Sequence, residues 1–348
     1  MTVPLHRLAL HRYAAAARET MSGETFAYVA GGAGRGGCAR RNEEAWADIL
    51  LRPQTGRRVE GLDLSAALPG LAVDWPCLVA PMAHQRLAHP EGERAAALAA
   101  QAQGAGMVLS CQTSVPPEEM PGPFWMQLYL RGEARDTRAL VRRAEAAGAT
   151  GFVVTMDVPL SGIREAEIEA GFALPDGVRP VMLDALPPEP PAAGAADLLA
   201  RAPGWEGLAA LVAETALPVL AKGALTPEAA SAALEAGCAG VIVSNHGGRV
   251  LEGLPATARA LPAIRAALPG ATILVDGGVR SGEDLCRALA LGADAVLVGR
   301  PVFYALSLGG AQGVSTALRR LRDEFAVAMG LMGCATVADM DGSRLWAD

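Results

Sequence analysis

Eight short, nearly unbroken apolar runs recur along this 348-residue chain, and they constrain its fold more than any other feature. They are Cys77–Ala80, Met107–Ser110, Phe124–Tyr129, Phe152–Thr155, Val219–Lys222, Gly240–Ser244, Ile273–Asp276 and Ala295–Gly299. Runs of this kind suit parallel strands covered on both faces, because neither face can afford polar side chains. Most are followed by alanine-rich amphipathic segments, including Glu91–Gln103, Ala134–Ala147, Pro227–Ala236, Ala256–Ala267 and Glu283–Leu291. Three of these segments stop at glycine, as Ala147-Gly148, Ala236-Gly237 and Leu291-Gly292, the usual end of a helix. An eightfold strand–helix alternation predicts an α/β fold, a (β/α)8 TIM barrel rather than a doubly wound sheet.

The remaining chain is assigned by exclusion. Residues 1–70 predict an N-terminal helical extension, with a helix over Leu8–Glu19, a turn at Gly31-Gly32-Ala33-Gly34 and a helix near Asn42–Leu50. Residues 71–348 are expected to form the barrel, so that the whole chain is a single domain. The segment 166–203 holds Pro175, Pro180, Pro187, Pro188, Pro190, Pro191 and Pro203 and follows the fourth strand. A long proline-rich insert there is expected to be a mobile lid that closes over substrate. A hydrophobic content of 51% excludes disorder, and a net charge of −7 argues against nucleic acid as a partner. Gly, Gln, Ser or Pro interrupts the longest uncharged stretches, so no membrane span is expected. The N-terminus lacks an apolar leader core. Cys38, Cys77, Cys111, Cys238, Cys286 and Cys334 have neither CxxC nor zinc spacing. They are expected to be reduced, mostly buried thiols of a cytoplasmic protein, and no metal is expected.

A barrel builds its active site from the C-terminal ends of its strands. There the sequence offers Gln127 and Tyr129, Thr155 and Asp157 with Arg164 beyond, Lys222, Ser244-Asn245-His246-Gly247-Gly248-Arg249, Asp276-Gly277-Gly278-Val279-Arg280, and Gly299-Arg300. Polar residues are scarce in this chain, yet they gather at one end. Glycines let backbone N–H groups approach an anion and arginines add forked donors, so Gly277-Gly278, Arg280, Gly299 and Arg300 predict a phosphate site after strands 7 and 8. That site suggests a phosphorylated cofactor or substrate. His246 is a candidate base. Arg164 and Arg249 suit a carboxylate. A buried Lys222 needs an electron-rich partner, and a reduced flavin would supply one.

These segments resemble the FMN-dependent α-hydroxy acid oxidase and dehydrogenase family, which includes glycolate, lactate and 4-hydroxymandelate oxidase-like enzymes. The resemblance rests on Tyr28-Val-Ala-Gly-Gly-Ala33, Ala80-Pro-Met-Ala83 with Ala88-His-Pro-Glu-Gly-Glu93, Gln127-Leu-Tyr129, Thr155-Met-Asp157, Gly162-Ile-Arg164-Glu165, Lys222-Gly223, Ser244-Asn-His-Gly-Gly-Arg249, Asp276-Gly-Gly-Val-Arg280 and Gly299-Arg-Pro301. It implies that Ala80, Pro81, Met82, Ala83, Ser110, Gln127, Thr155, Lys222 and Ser244 line the isoalloxazine of FMN. It implies that Asp276, Gly278, Arg280, Gly299 and Arg300 hold the ribityl phosphate. Tyr28, Tyr129, Arg164 and Arg249 would bind the substrate, His246 would be the base, and Asp157 would support its imidazolium. Lys222 would stabilise charge on the reduced flavin.

Several positions depart from the family's common pattern: Gln112, Met82, Val250, Glu252, Gly34 and a short lid. These changes bear on the substrate and leave the catalytic groups intact. The expected activity is oxidation of an (S)-2-hydroxy acid to the 2-oxo acid. Electrons pass to O2, giving H2O2, and a mandelate-like or other bulky substrate is favoured over glycolate. The alternative is a flavin-dependent tailoring oxidase acting on an amine or peptide-derived substrate. The resemblance also implies a homo-oligomer, a tetramer or octamer, and electrons are not expected to leave through a fused heme domain.

Overall fold

The computed structural model of the chain describes residues 5–131, 133–184, 186–188 and 190–346. Its N-terminal extension carries α1 (Tyr13–Arg18), α2 (Gly23–Ala30) and α3 (Gly37–Ala47). The helix predicted over Leu8–Glu19 is broken: two 3-10 turns, Leu5–Arg7 and Leu10–Arg12, precede α1. The second predicted helix begins earlier than expected, because Gly36 at φ 78° supplies the turn that starts α3.

Next comes a hairpin that the apolar pattern did not suggest, β1 (Ala66–Leu68) against β2 (Leu71–Val73). Its signal was the Pro69-Gly70 dipeptide, since proline suits the first central position of a tight turn and Gly70 takes φ 71° at the second.

Eight parallel strands then close a barrel: β3 (Cys77–Val79), β4 (Gly106–Ser110), β5 (Phe124–Tyr129), β6 (Ala149–Thr155), β7 (Val219–Ala224), β8 (Gly240–Val243), β9 (Thr272–Asp276) and β10 (Ala295–Val298). The order around the barrel is sequential, with β10 returning to pair with β3. Side chains alternate with the pleat. Leu78, Val108, Trp125, Val153, Leu220, Ile242, Leu274 and Leu297 point inward to one apolar cluster. Val79, Leu109, Met126, Val154, Val243, Val275 and Val298 belong to the larger cluster beneath the helices. Leu68, Leu71 and Val73 of the hairpin join the inner cluster, so the hairpin stoppers one mouth of the barrel. The other mouth stays open for a ligand.

The outer helices are α4 (Gly92–Ala102), α5 (Ala134–Ala146), then α6 (Glu165–Glu169) and α7 (Ala195–Arg201) within the insert after β6. They continue with α8 (Gly204–Ala213), α9 (Pro227–Glu235), α10 (Thr257–Ala267), α11 (Gly282–Ala290) and α12 (Arg300–Leu331). Side-chain caps fix several starts: Thr226 accepts from Ala229 N ahead of Pro227, and Ser281 with Asp284 forms a capping box.

The segment 166–203 is not one free loop. Met182 is fully buried, Val181 N donates to Thr113 O at 3.0 Å, and the Arg143 guanidinium donates to the carbonyls of Val181 and Met182. The insert is therefore stapled to the barrel at its centre. Among the described residues no helix is long and apolar enough to cross a membrane. No group of three or more potential metal ligands converges among them. All six cysteines are buried and unpaired.

Candidate active site

One cavity of about 1540 Å³ opens at the C-terminal ends of the strands. Ligand sites commonly measure about 300–1,000 Å³, so this one has room for a cofactor and a substrate together. Ala80, Pro81, Met82 and Ala83, just past β3, form one wall.

A polar row crosses the barrel mouth. Ser110 Oγ donates to Gln127 Oε1 at 3.1 Å, and Gln127 Nε2 donates to Thr155 Oγ1 at 3.0 Å. Lys222 Nζ donates to Ser244 Oγ at 2.8 Å and pairs with Asp276 Oδ2 at 3.1 Å. These side chains are buried at successive strand ends, where a parallel barrel necessarily brings inward positions together. Burial alone would lower the Lys222 pKa, but the carboxylates of Asp276 and Asp157 outweigh it and raise it. The ammonium is therefore a permanent positive charge in the floor.

A second layer lies two residues further along three strands, at Tyr129, Asp157 and His246. His246 Nδ1 lies 3.4 Å from Asp157 Oδ1. Burial and the nearby Lys222 charge push the imidazole pKa below its ordinary value, which Asp157 offsets only in part. The ring is thus neutral near pH 7 and able to take a proton. Burial raises the Asp157 pKa, yet the hydrogen bond from His246 and the charge of Lys222 more than offset it, so the carboxyl stays ionised. Asp157 Oδ2 is buried without a partner. The His246 backbone is left-handed at φ 57°, an uncommon state for a residue with a Cβ.

Above this layer the N-terminal extension closes in. Tyr28 of α2 stacks on Phe172 of the insert at 4.4 Å, and the Arg249 guanidinium lies 5.2 Å from the Tyr28 ring centre. Arg249 NH1 donates to the carbonyls of Tyr28 and Gly31. Burial, with the like charge of Arg300, lowers the Arg249 pKa to about 10, so it remains cationic. Arg164 does not present an empty fork. Glu167 fills it, taking bonds from Nε at 2.6 Å and NH2 at 3.2 Å, and reaches Arg249 NH2 at 3.5 Å. Glu167 escaped notice in the sequence, although its i,i+3 spacing from Arg164 was a usable signal.

The glycine cradle follows β9 and β10. Gly277 and Gly278 adopt φ 93° and 87°, which only glycine reaches without strain. A Cβ on Gly278 would stand 2.3 Å from the Asn42 carbonyl oxygen. Arg280 NH2 pairs with Glu43 at 2.7 Å. Arg300 lines the cavity and also has a second task. Its guanidinium spends Nε, NH1 and NH2 on the carbonyls of Val29, Gly247 and Gly31. It clamps the glycine-rich turn of the extension, because carbonyls left bare by that turn need donors. Asp276 likewise does two things, pairing with Lys222 through Oδ2 while Oδ1 is buried with no partner. A buried carboxylate oxygen without a donor is costly. A ligand hydroxyl at this point of the cavity relieves it, and a ribityl chain carries such hydroxyls. The residues present fit FMN.

The comparisons agree with this geometry. A family model described as FMN-dependent dehydrogenase matches residues 17–347. An L-lactate oxidase of Roseobacter sp. (strain GAI101) is 48% identical over 332 residues, covering 92% of this chain and 90% of the relative. Glycolate oxidase of Spinacia oleracea is 37% identical over 352 residues, covering 97% and 95%. A crystal structure of mandelate oxidase with (S)-2-phenylpropionate superposes with a TM-score of 0.89 at 40% identity over 98% of both chains. A match that runs almost end to end, with relatives alike over nearly their whole lengths, makes this chain a member of the FMN-dependent dehydrogenase family, an oxidoreductase whose cofactor is FMN.

Proposed function

We propose that the protein oxidises an (S)-2-hydroxy acid to the 2-oxo acid and passes the electrons to O2, yielding H2O2. The observation that carries this reading is the convergence of Arg164, Arg249, Tyr28 and Tyr129 with the His246–Asp157 pair on one cavity. A carboxylate matches paired guanidiniums bidentately, whereas an amine or peptide-derived substrate has no need of both. The relatives named as oxidases support oxygen as acceptor. A mandelate-like side chain is favoured over that of glycolate, and the likeness to mandelate oxidase supports this. The family's assembly into tetramers or octamers is carried over as part of the same reading.

In the mechanism, Arg249 and Arg164 bind the carboxylate and orient the α-carbon. Tyr129 donates to the oxygen that becomes the carbonyl. Neutral His246 accepts a proton from the substrate, and Asp157 holds the ring and stabilises the imidazolium that forms. Bound FMN would supply the acceptor for the two electrons and the second hydrogen of the substrate, which O2 takes up with the His246 proton as H2O2. Lys222 keeps a positive charge beneath the flavin site, and the row Ser110, Gln127, Thr155 and Ser244 supplies polar contacts to the ring. Asp276, Gly278, Arg280, Gly299 and Arg300 frame the ribityl phosphate, Arg300 through its charge and the α12 N-terminus. Anaerobic mixing with glycolate, lactate and mandelate tests the reading. Loss of the visible flavin absorbance with an (S)-hydroxy acid supports it, and no bleaching with any of them rejects it.

Two further results are expected. Arg280→Ala removes a charged donor worth about 1.5–3 kcal/mol, so the FMN dissociation constant should rise roughly 10- to 100-fold. Titrating the apoprotein with FMN and following flavin fluorescence measures this, and an unchanged constant would remove Arg280 from the cradle. Glu167→Gln takes away the carboxylate that competes with substrate for the two arginines. The KM for the hydroxy acid should fall roughly tenfold with kcat little changed. A raised KM would instead make Glu167 a support for Arg164.

A further inference from the structure

Helix α3 lies outside the barrel, yet one of its side chains is buried directly behind the site, against Asn245, Thr257 and Gly277. Asn42 is 1% exposed. Its amide faces that of Asn245, with Asn42 Nδ2 donating to Asn245 Oδ1 and Asn245 Nδ2 donating to Asn42 Oδ1, both at 2.8 Å. Backbone groups fix which end of each amide is oxygen. Gly248 N donates to Asn245 Oδ1 at 3.0 Å, Thr257 N donates to Asn42 Oδ1 at 3.2 Å, and Asn245 Nδ2 also donates to Pro255 O at 2.9 Å. A buried polar network satisfied this fully permits one arrangement only.

The pair touches both halves of the site. On one side, Asn245 precedes His246 and closes the tight turn His246–Gly248, in which His246 holds its left-handed φ of 57°. Such a conformation persists only where the surroundings over-determine it. On the other side, a Cβ on Gly277 would stand 3.0 Å from Asn42 Nδ2, while Trp46 Nε1 of the same helix donates to Gly277 O at 2.7 Å. Thr257, held by Asn42, donates its hydroxyl to Asp276 O at 2.6 Å.

We propose that Asn42 is a positioning residue: through its amide pair with Asn245 it holds the turn that aims His246, and through its packing beneath Gly277-Gly278 it ties that turn to the phosphate cradle. The inference rests on His246 being the base of the proposed reaction. Helix α3 thereby makes the cradle and the base one rigid unit. The charged groups facing His246 across the site are Asp157 of the β6 end, Lys222 of β7 and Asp276 of β9. Asn42→Ala removes none of these charges; it reaches Asp276 only through Thr257, which bonds the Asp276 backbone carbonyl.

The test uses the holoenzyme of Asn42→Ala and of Asn42→Asp, which keeps both acceptor bonds and loses the donation to Asn245. With FMN saturating, kcat should fall about 100-fold in Asn42→Ala and about tenfold in Asn42→Asp, with KM within about threefold because Arg164 and Arg249 are intact. The FMN dissociation constant should rise about tenfold. The His246 titration, read by NMR of 15N-histidine-labelled holoenzyme and assigned with His246→Gln, should move up toward the ordinary imidazole value. The acid limb of the kcat profile should move with it. If Asn42→Ala does not fold, Asn42→Asp decides. A variant with kcat within about threefold of the parent and an unmoved His246 titration overturns the proposal. Should the parent oxidise no hydroxy acid, the functional reading falls while the titration still decides the role of Asn42.

Discussion

His246→Gln is expected to bind FMN and hydroxy acid yet reduce its flavin at least 10²- to 10⁴-fold more slowly, the usual contribution of a positioned general base. Gln is close in reach and polarity, but it takes no proton at neutral pH. Asp157 then has no imidazolium to stabilise, so the loss should lie at the upper end of that range. Anaerobic stopped-flow over a substrate series separates the rate of reduction from the dissociation constant, and the constant should move little. The pH dependence has a defined sign. His246 has a folded-state pKa below the ordinary value of about 6.5, chiefly through burial and then Lys222, so the active neutral form persists through neutral pH. The parent should lose activity only as pH falls below that value, and His246→Gln should show no such limb. Near-parental flavin reduction by His246→Gln would reject the mechanism.

Lys222→Met is expected to cost more than the flavin contact it removes. Lys222 is 3% exposed and Asp276 6%, and their ion pair measures 3.1 Å. Removing one partner strands the other charge in a low-dielectric floor, a change that typically costs about 3–5 kcal/mol. Asp276 Oδ1 already lacks a donor, which leaves the carboxylate no alternative partner. Urea unfolding of both apoproteins at neutral pH reads this deficit directly. Equal stability of the two proteins would mean that the floor is more hydrated than its burial indicates.

Much of this molecule was legible in the chain itself. The eight apolar runs fixed strand number and sequential order, because a run apolar on both faces has only the inside of a two-layered α/β fold to go to. That, with the polar residues just past those runs, also located the site, since strand ends of a barrel share one mouth. Local patterning failed where a residue's partner lies far along the chain. Nothing around Asn42 separates it from the polar residues beside it, and only packing of α3 against the barrel makes it the buried mate of Asn245. Arg300 read as an anion ligand because arginine after glycine is suited to one; that three of its five N–H groups also hold carbonyls more than fifty or two hundred and fifty residues away, at Gly247, Val29 and Gly31, was not legible. The insert after β6 read as a free lid because proline-rich sequence carries no periodicity, yet Met182 finds a place in the core. Sequence determined which chemical groups stand at each strand end. The tertiary structure alone decided which of them are spent on one another, because hydrogen bonds and ion pairs are settled by distance in space, to which spacing along the chain is blind.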